Sequence, residues 1–104
     1  MPDIAYIAGP ISGVTDYRSQ FAEAARVVRE HGINTVLNPA TLPQSIDSPS
    51  AMRICLSMID TADVVYFMPD WRYSIGATLE HTYAEYIGKE IRYLPGGDAD
   101  ELEE

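Results

Sequence analysis

Four short apolar runs alternate with three longer stretches of helical periodicity, and this alternation constrains the fold more than any other feature. The first run spans residues 4–8 and stops at Gly9-Pro10. The second, at 33–37, stops at Asn38-Pro39, and the third, at 63–68, stops at Pro69. The fourth, at 91–94, is followed by Pro95-Gly96-Gly97. Apolar runs of this length bounded by Gly and Pro are the pattern of buried strands. Between the first two, Phe21, Ala24, Ala25 and Val28 recur at helical spacing. That helix is expected to run from a cap at Asp16 to about His31, with Gly32 as its stop. Ser48-Pro49 is expected to open a second helix with Ser48 as cap, lined by Met52, Cys55, Leu56 and Ile59. Residues 74–87 predict a third, with Leu79, Tyr83, Tyr86 and Ile87 as its apolar side and Gly88 as its stop.

The order β-α-β-α-β-α-β implies an α/β chain with a parallel sheet of about four to five strands and helices on both faces. Right-handed crossovers narrow this three-layer arrangement to Rossmann-like or flavodoxin-like windings. Ligands of such sheets bind beyond the carboxyl ends of the strands. The loops 9–16, 38–48 and 69–74 are therefore expected at one edge. A chain of 104 residues with 46% hydrophobic residues suffices for one core. Residues 1–95 are read as a single domain and 96–104 as an acidic, disordered tail. Net charge is −9, and the tail acids Asp98, Asp100, Glu101, Glu103 and Glu104 leave −4 on the body. That balance argues against a nucleic-acid polymer as partner. No apolar stretch is long enough for a membrane span. The opening residues lack the basic segment of a secretory signal, and Cys55 is the single cysteine. A reducing, cytoplasmic setting is the expectation.

The first loop, Gly9-Pro10-Ile11-Ser12-Gly13, allows close approach of a ligand to backbone and supplies a hydroxyl. It is equally a tight strand-to-helix turn. It lacks the spacing of a dinucleotide fingerprint and the Gly-Lys-Ser/Thr of a phosphate-binding Walker loop. In the third loop, Asp70-Trp71-Arg72-Tyr73-Ser74-Ile75-Gly76, two roles are open to Trp71: stacking on a planar base, or capping the core. Ser74 can cap the third helix, whose N-terminus favours anions. Glu80 is placed to act as a nucleophile in glycosidic chemistry or is an ordinary surface glutamate. Tyr6 is either core or reaches the site with its hydroxyl. His31 and His81 form no metal spacing with any acid, so no metal is expected, and no organic cofactor is called for by the reading that follows.

Taken together, Tyr6 to Gly13, Asn38-Pro39, Ala62-Asp63-Val64-Val65 and Trp71-x-x-Ser74-x-Gly76-Ala77-x-x-Glu80 resemble a small domain family akin to the nucleoside 2-deoxyribosyltransferases. The resemblance covers about residues 4–94. It implies a flavodoxin-like fold and cleavage or transfer at an N-glycosidic bond, through a covalent deoxyribosyl-glutamate intermediate. Glu80 matches the glutamate that attacks C1′, and Tyr6 the tyrosine that hydrogen-bonds it. Ser74 matches a sugar-contacting position that is Asp in the transferases and Ser in the related deoxynucleoside 5′-monophosphate N-hydrolases. A serine at a helix N-terminus tolerates a phosphate that an aspartate would repel, which leans toward nucleotides, with Arg18 or Arg72 as sources of positive charge.

The implied site is thus Glu80, Tyr6 and Asp70 for catalysis, with Gly9, Pro10, Ser12, Gly13, Asn38, Trp71, Ser74 and Gly76 around a nucleoside or nucleotide. One departure stands out. The family often carries an aspartate eight residues before the acid of the Ala-Asp pair, where it handles the departing base. Here that position is Cys55, a poor proton donor to a base nitrogen. Asp70 is a candidate replacement. The alternative reading is a non-catalytic nucleotide-binding or sensing module that has lost turnover. The family resemblance also implies a homodimer or higher homo-oligomer, with Tyr83 and Tyr86 on the third helix as a surface for it.

Overall fold

The computed structural model describes residues 2–96. Apart from Gly96, the expected acidic tail lies outside the described residues. Strand β1 is Ile4–Ala8, helix α1 Tyr17–Glu30 and strand β2 Thr35–Leu37. Helix α2 is Ser48–Thr61, strand β3 Val64–Phe67, helix α3 Ile75–Tyr86 and strand β4 Glu90–Tyr93. Short 3-10 turns occupy Pro39–Thr41 and Trp71–Tyr73.

The sheet is parallel throughout, with strand order β2-β1-β3-β4. This is the flavodoxin-like winding, in four strands. Tyr6 pairs with Leu37 on one side and with Val65 on the other. The chain reverses direction of travel between β1 and β3, and the crevice at that switch point is where such folds hold ligands.

Strand alternation divides the core in two. Ala5, Ile7, Val64 and Tyr66 face α1 and pack on Phe21, Ala24, Ala25 and Val28. Tyr6, Ala8, Val65 and Phe67 face the other layer and pack on Cys55, Ile59, Ala77 and Ala84. Both faces of β1 and β3 are covered, which is why these strands read as unbroken apolar runs.

Three local expectations are corrected. The cap of α2 is Asp47, whose carboxylate accepts from the Ser50 amide at 3.1 Å, and Ser48 is already the first helical residue. Asp16 stands at the N-cap position of α1 without capping it; its Oδ1 accepts from Gln20 Nε2 instead. The inward stripe of α3 is Ala77, Glu80 and Ala84, whereas Leu79, Tyr86 and Ile87 are exposed and Tyr83 is half-buried. Small side chains are what let α3 lie close to the sheet, so its bulky apolar residues are turned outward.

Candidate active site

Two elements bring Tyr6 and Glu80 together. Tyr6 is the third residue of β1 and points into the α2–α3 layer by strand alternation. Glu80 lies one helical turn past Ala77 and one before Ala84, on the face of α3 that meets the sheet. The Tyr6 hydroxyl donates to Glu80 Oε2 at 3.0 Å. Among the described residues Glu80 is the one charged side chain that is buried, at 6% exposure. Burial raises its carboxyl to about 7, against smaller opposing contributions from the Tyr6 hydroxyl and the Cys55 thiol. Burial likewise pushes the Tyr6 phenol well above its usual range. Cys55 arrives from α2, and burial pushes its thiol up, with the Glu80 carboxylate adding to the effect.

The three groups line a cavity of about 700 Å³. Its walls come from the loop after β1 (Gly9, Ile11, Ser12), the first turn of α1 (Tyr17) and the segment before α2 (Leu42, Pro43, Gln44, Ile46). The first turns of α2 and α3 complete it, through Ser48, Pro49, Ser74, Ile75 and Gly76. Ser74 caps α3, its Oγ accepting from the Ala77 amide at 3.2 Å. The Tyr17 hydroxyl accepts from Arg18 Nε at 3.0 Å and from Gln44 Nε2 at 3.2 Å, joining α1 to the loop opposite. Arg18 also donates to the Leu42 carbonyl. Gly9 meets a packing demand as well: a Cβ there would sit 2.8 Å from Met68 Sδ. Gly13, at φ +80°, is held in the left-handed region.

Of the residues nominated from sequence, Tyr6, Gly9, Ser12, Ser74, Gly76 and Glu80 are gathered around this cavity. Pro10, Gly13, Asn38, Asp70 and Trp71 are not among its lining residues. Asn38 borders a separate cleft of about 390 Å³ with Arg29 and Met58, and its Oδ1 accepts from the Ala40 amide. Asp70 is exposed, at φ 68°, and opens the 3-10 turn after β3. Trp71 takes the second of its two open roles. It is buried against Phe67 and stacks on His81 with ring centroids 4.1 Å apart. His81 Nε2 is 2.7 Å from the Tyr93 hydroxyl, so this histidine belongs to the same aromatic cluster. Among the described residues no group of three His, Cys, Asp or Glu side chains is placed to hold a metal ion. No helix there is long and apolar enough to cross a membrane.

Sequence reasoning missed Tyr17, Gln44, Leu42 and Met52 as cavity walls. The topology places the loop 38–48 at the ligand edge, which is the signal that could have found Gln44 and Leu42, and Tyr17 directly follows the loop 9–16 at that edge. Their residue types announce no chemistry, and only the closure of loop over sheet makes them neighbours.

The 2-desoxiribosyltransferase of Leishmania mexicana has a similar structure, with a TM-score of 0.68 over 89% of this chain at 21% identity. The chain spans 64% of that enzyme's length. No curated protein matches the chain in sequence. A family model described as a domain of unknown function, DUF4406, matches residues 4–93. The match takes in every strand and helix of the fold, and the chain therefore belongs to the DUF4406 family, on a nucleoside 2-deoxyribosyltransferase-like fold.

Proposed function

We propose that the protein cleaves or transfers at the N-glycosidic bond of 2-deoxynucleosides or their 5′-monophosphates, with Glu80 as nucleophile. The observation that carries this is the buried Tyr6–Glu80 pair on the wall of the cavity at the sheet's switch point. A carboxylate removed from water and held by one hydroxyl is poorly solvated and therefore reactive once ionised. In the first step Glu80 attacks C1′ and the base leaves with the bonding electrons. In the second, water or another base attacks C1′ and Glu80 is released, so that two inversions give net retention. Tyr6 holds the carboxylate in line. Gly9, Ser12, Ser74 and Gly76 border the sugar or its phosphate, and the serine at the start of α3 suits a phosphate better than an acid would. Asp70 and Trp71 lie outside the lining, so the base is bordered instead by Leu42, Ile46 and Met52.

The active species is a homodimer or larger oligomer. Exposed Ile75 and Leu79 stand at the cavity wall, and Tyr86 continues the apolar surface along α3.

The test is base release, followed by chromatography, from deoxynucleosides and their 5′-monophosphates with and without a second free base. Release should fall about a thousandfold or more in Glu80→Gln, and a new nucleoside would mark transfer over hydrolysis. The thiol of Cys55 at the usual acid's position favours the second reading, a nucleotide-sensing module. Nucleotide binding by thermal shift with no release from any substrate would establish that reading in place of the first.

A further inference from the structure

We infer that the cavity is matched to a nucleoside whose base already carries a positive charge, such as an N-alkylated purine or a pyridinium, and that Cys55 sets this preference. The inference rests on Glu80 acting as nucleophile. It follows from the charges and protons that the cavity holds. Among the described residues lining it, Glu80 is the only carboxylate, and no Lys, Arg or His is present. The remaining side-chain protons are on serine and tyrosine hydroxyls, on the Gln44 amide, which donates to the Tyr17 hydroxyl and is too weak an acid to protonate a base, and on the Cys55 thiol. The Tyr6 hydroxyl is already donated to Glu80. Burial holds the thiol proton more tightly than in water.

The nearby acids do not fill the gap. Asp47 is occupied in capping α2, and hydrogen bonds from Ser50 hold its carboxyl below the usual range. Asp16 accepts from Gln20 on α1, and Asp70 lies outside the lining. No carboxylic acid among the described lining residues is placed to hand a proton to a departing nitrogen.

That arrangement discriminates between leaving groups. When the C1′–N bond of a neutral base breaks, the electron pair goes to nitrogen and the base departs as an anion unless an acid protonates it. A positioned acid is worth about 10²–10⁴-fold in such a step. When the base is cationic, the same electron pair cancels the ring charge and the base departs neutral, with no proton required. The Glu80 oxygen forms the new bond to C1′. Water then attacks C1′, the ester bond to Glu80 breaks, and the water proton passes to solvent as the carboxylate is restored. A cationic base also supplies the counter-charge that the described lining residues do not give the buried carboxylate. The chain's net charge of −9 draws such a substrate in.

The matched pair 2-deoxyguanosine and 7-methyl-2-deoxyguanosine differs by one methyl group and its charge. Base release by the intact protein, corrected with Glu80→Gln for spontaneous loss, should give kcat/KM at least about a hundredfold higher for the methylated nucleoside. In Cys55→Asp the ratio of kcat/KM for the methylated over the neutral nucleoside should fall about tenfold or more, and the pH profile for the neutral nucleoside should acquire a new alkaline limb. Glu80-dependent cleavage of the two wild-type substrates at similar rates overturns the inference and leaves the proposed function standing. Cleavage of neither overturns both. A ratio unmoved in folded Cys55→Asp removes Cys55 as the determinant. If that variant does not fold, the wild-type ratio still decides the substrate class.

Discussion

Helices α1 and α3 flank the same sheet from opposite sides and solve different problems. Helix α1 buries Phe21, Ala24, Ala25 and Val28, an all-apolar stripe whose spacing is visible in the sequence. Helix α3 buries Ala77, Glu80 and Ala84 and leaves Ile75 90% and Tyr86 89% exposed. The first is arranged as a core helix ordinarily is, with hydrophobic groups removed from water. The second places a carboxylate in the row where α1 has only hydrocarbon. Its bulky apolar side chains stand at the cavity and on the outer surface. The difference teaches that hydrophobic periodicity locates a helix whose task is packing and misorients one whose inward face carries a site.

The largest effect should come from breaking α1. Phe21→Ala removes a fully buried ring and is expected to cost about 3–5 kcal/mol, read by urea unfolding. Breaking the buried stripe of α3 should do the reverse. Glu80 sits at about 7 in the fold and ionises near 4.5 when unfolded, so the folded state keeps its proton over a window in which the unfolded chain has lost it. Stability therefore falls as pH rises through that window, by up to about 3 kcal/mol, and stays lower above it. Glu80→Gln escapes this penalty. Thermal unfolding should find it close to wild type at pH 4 and more stable by as much as that amount at pH 8. Equal stability of the two proteins at both pH values would show that the carboxylate is not held out of water.

A smaller effect sharpens the same contrast. Tyr6→Phe deletes the donor to Glu80 and should cost about 1 kcal/mol above pH 7, where the carboxylate is charged. Base release should rise with pH through about 7 in the wild type, because the nucleophile must be ionised. In Tyr6→Phe that limb should move to higher pH, since the hydroxyl is one of the groups that lower the Glu80 value. The smallest effect belongs to the outer face of α3. Tyr86→Ser should leave the stability of the isolated subunit within about 0.5 kcal/mol. In sedimentation it should weaken self-association, and unchanged association would take this face out of the oligomer contact.

The legibility of the site follows the same division. Ser74 at the start of α3 was readable because a capping side chain acts on backbone amides within three residues. Glu80 and Tyr6 were each readable as one of two alternatives, but their pairing was readable only through the family resemblance, since 74 residues separate them and neither spacing nor composition links them. Trp71 shows the limit from the other side. An aromatic residue in a loop at the ligand edge has two reasonable positions, and its stacking with His81 depends on where α3 lies over the sheet. Asn38 is similar: a side chain at the correct edge is taken up by the turn that follows it.

The sequence by itself determined the alternation of strands and helices, the α/β class and the edge at which its loops meet. Those properties depend on local conformational preferences and on burial summed over short segments, both of which act on neighbours in the chain. The tertiary structure alone decided which face of α3 turns inward, that Trp71 packs on His81, and that Cys55 stands beside a carboxylate with no cation among the described residues lining the cavity. These are matters of contact between distant segments. Close approach of α3 to the sheet favoured small residues over large ones, and burial then turned an ordinary glutamate into a group that titrates near neutrality.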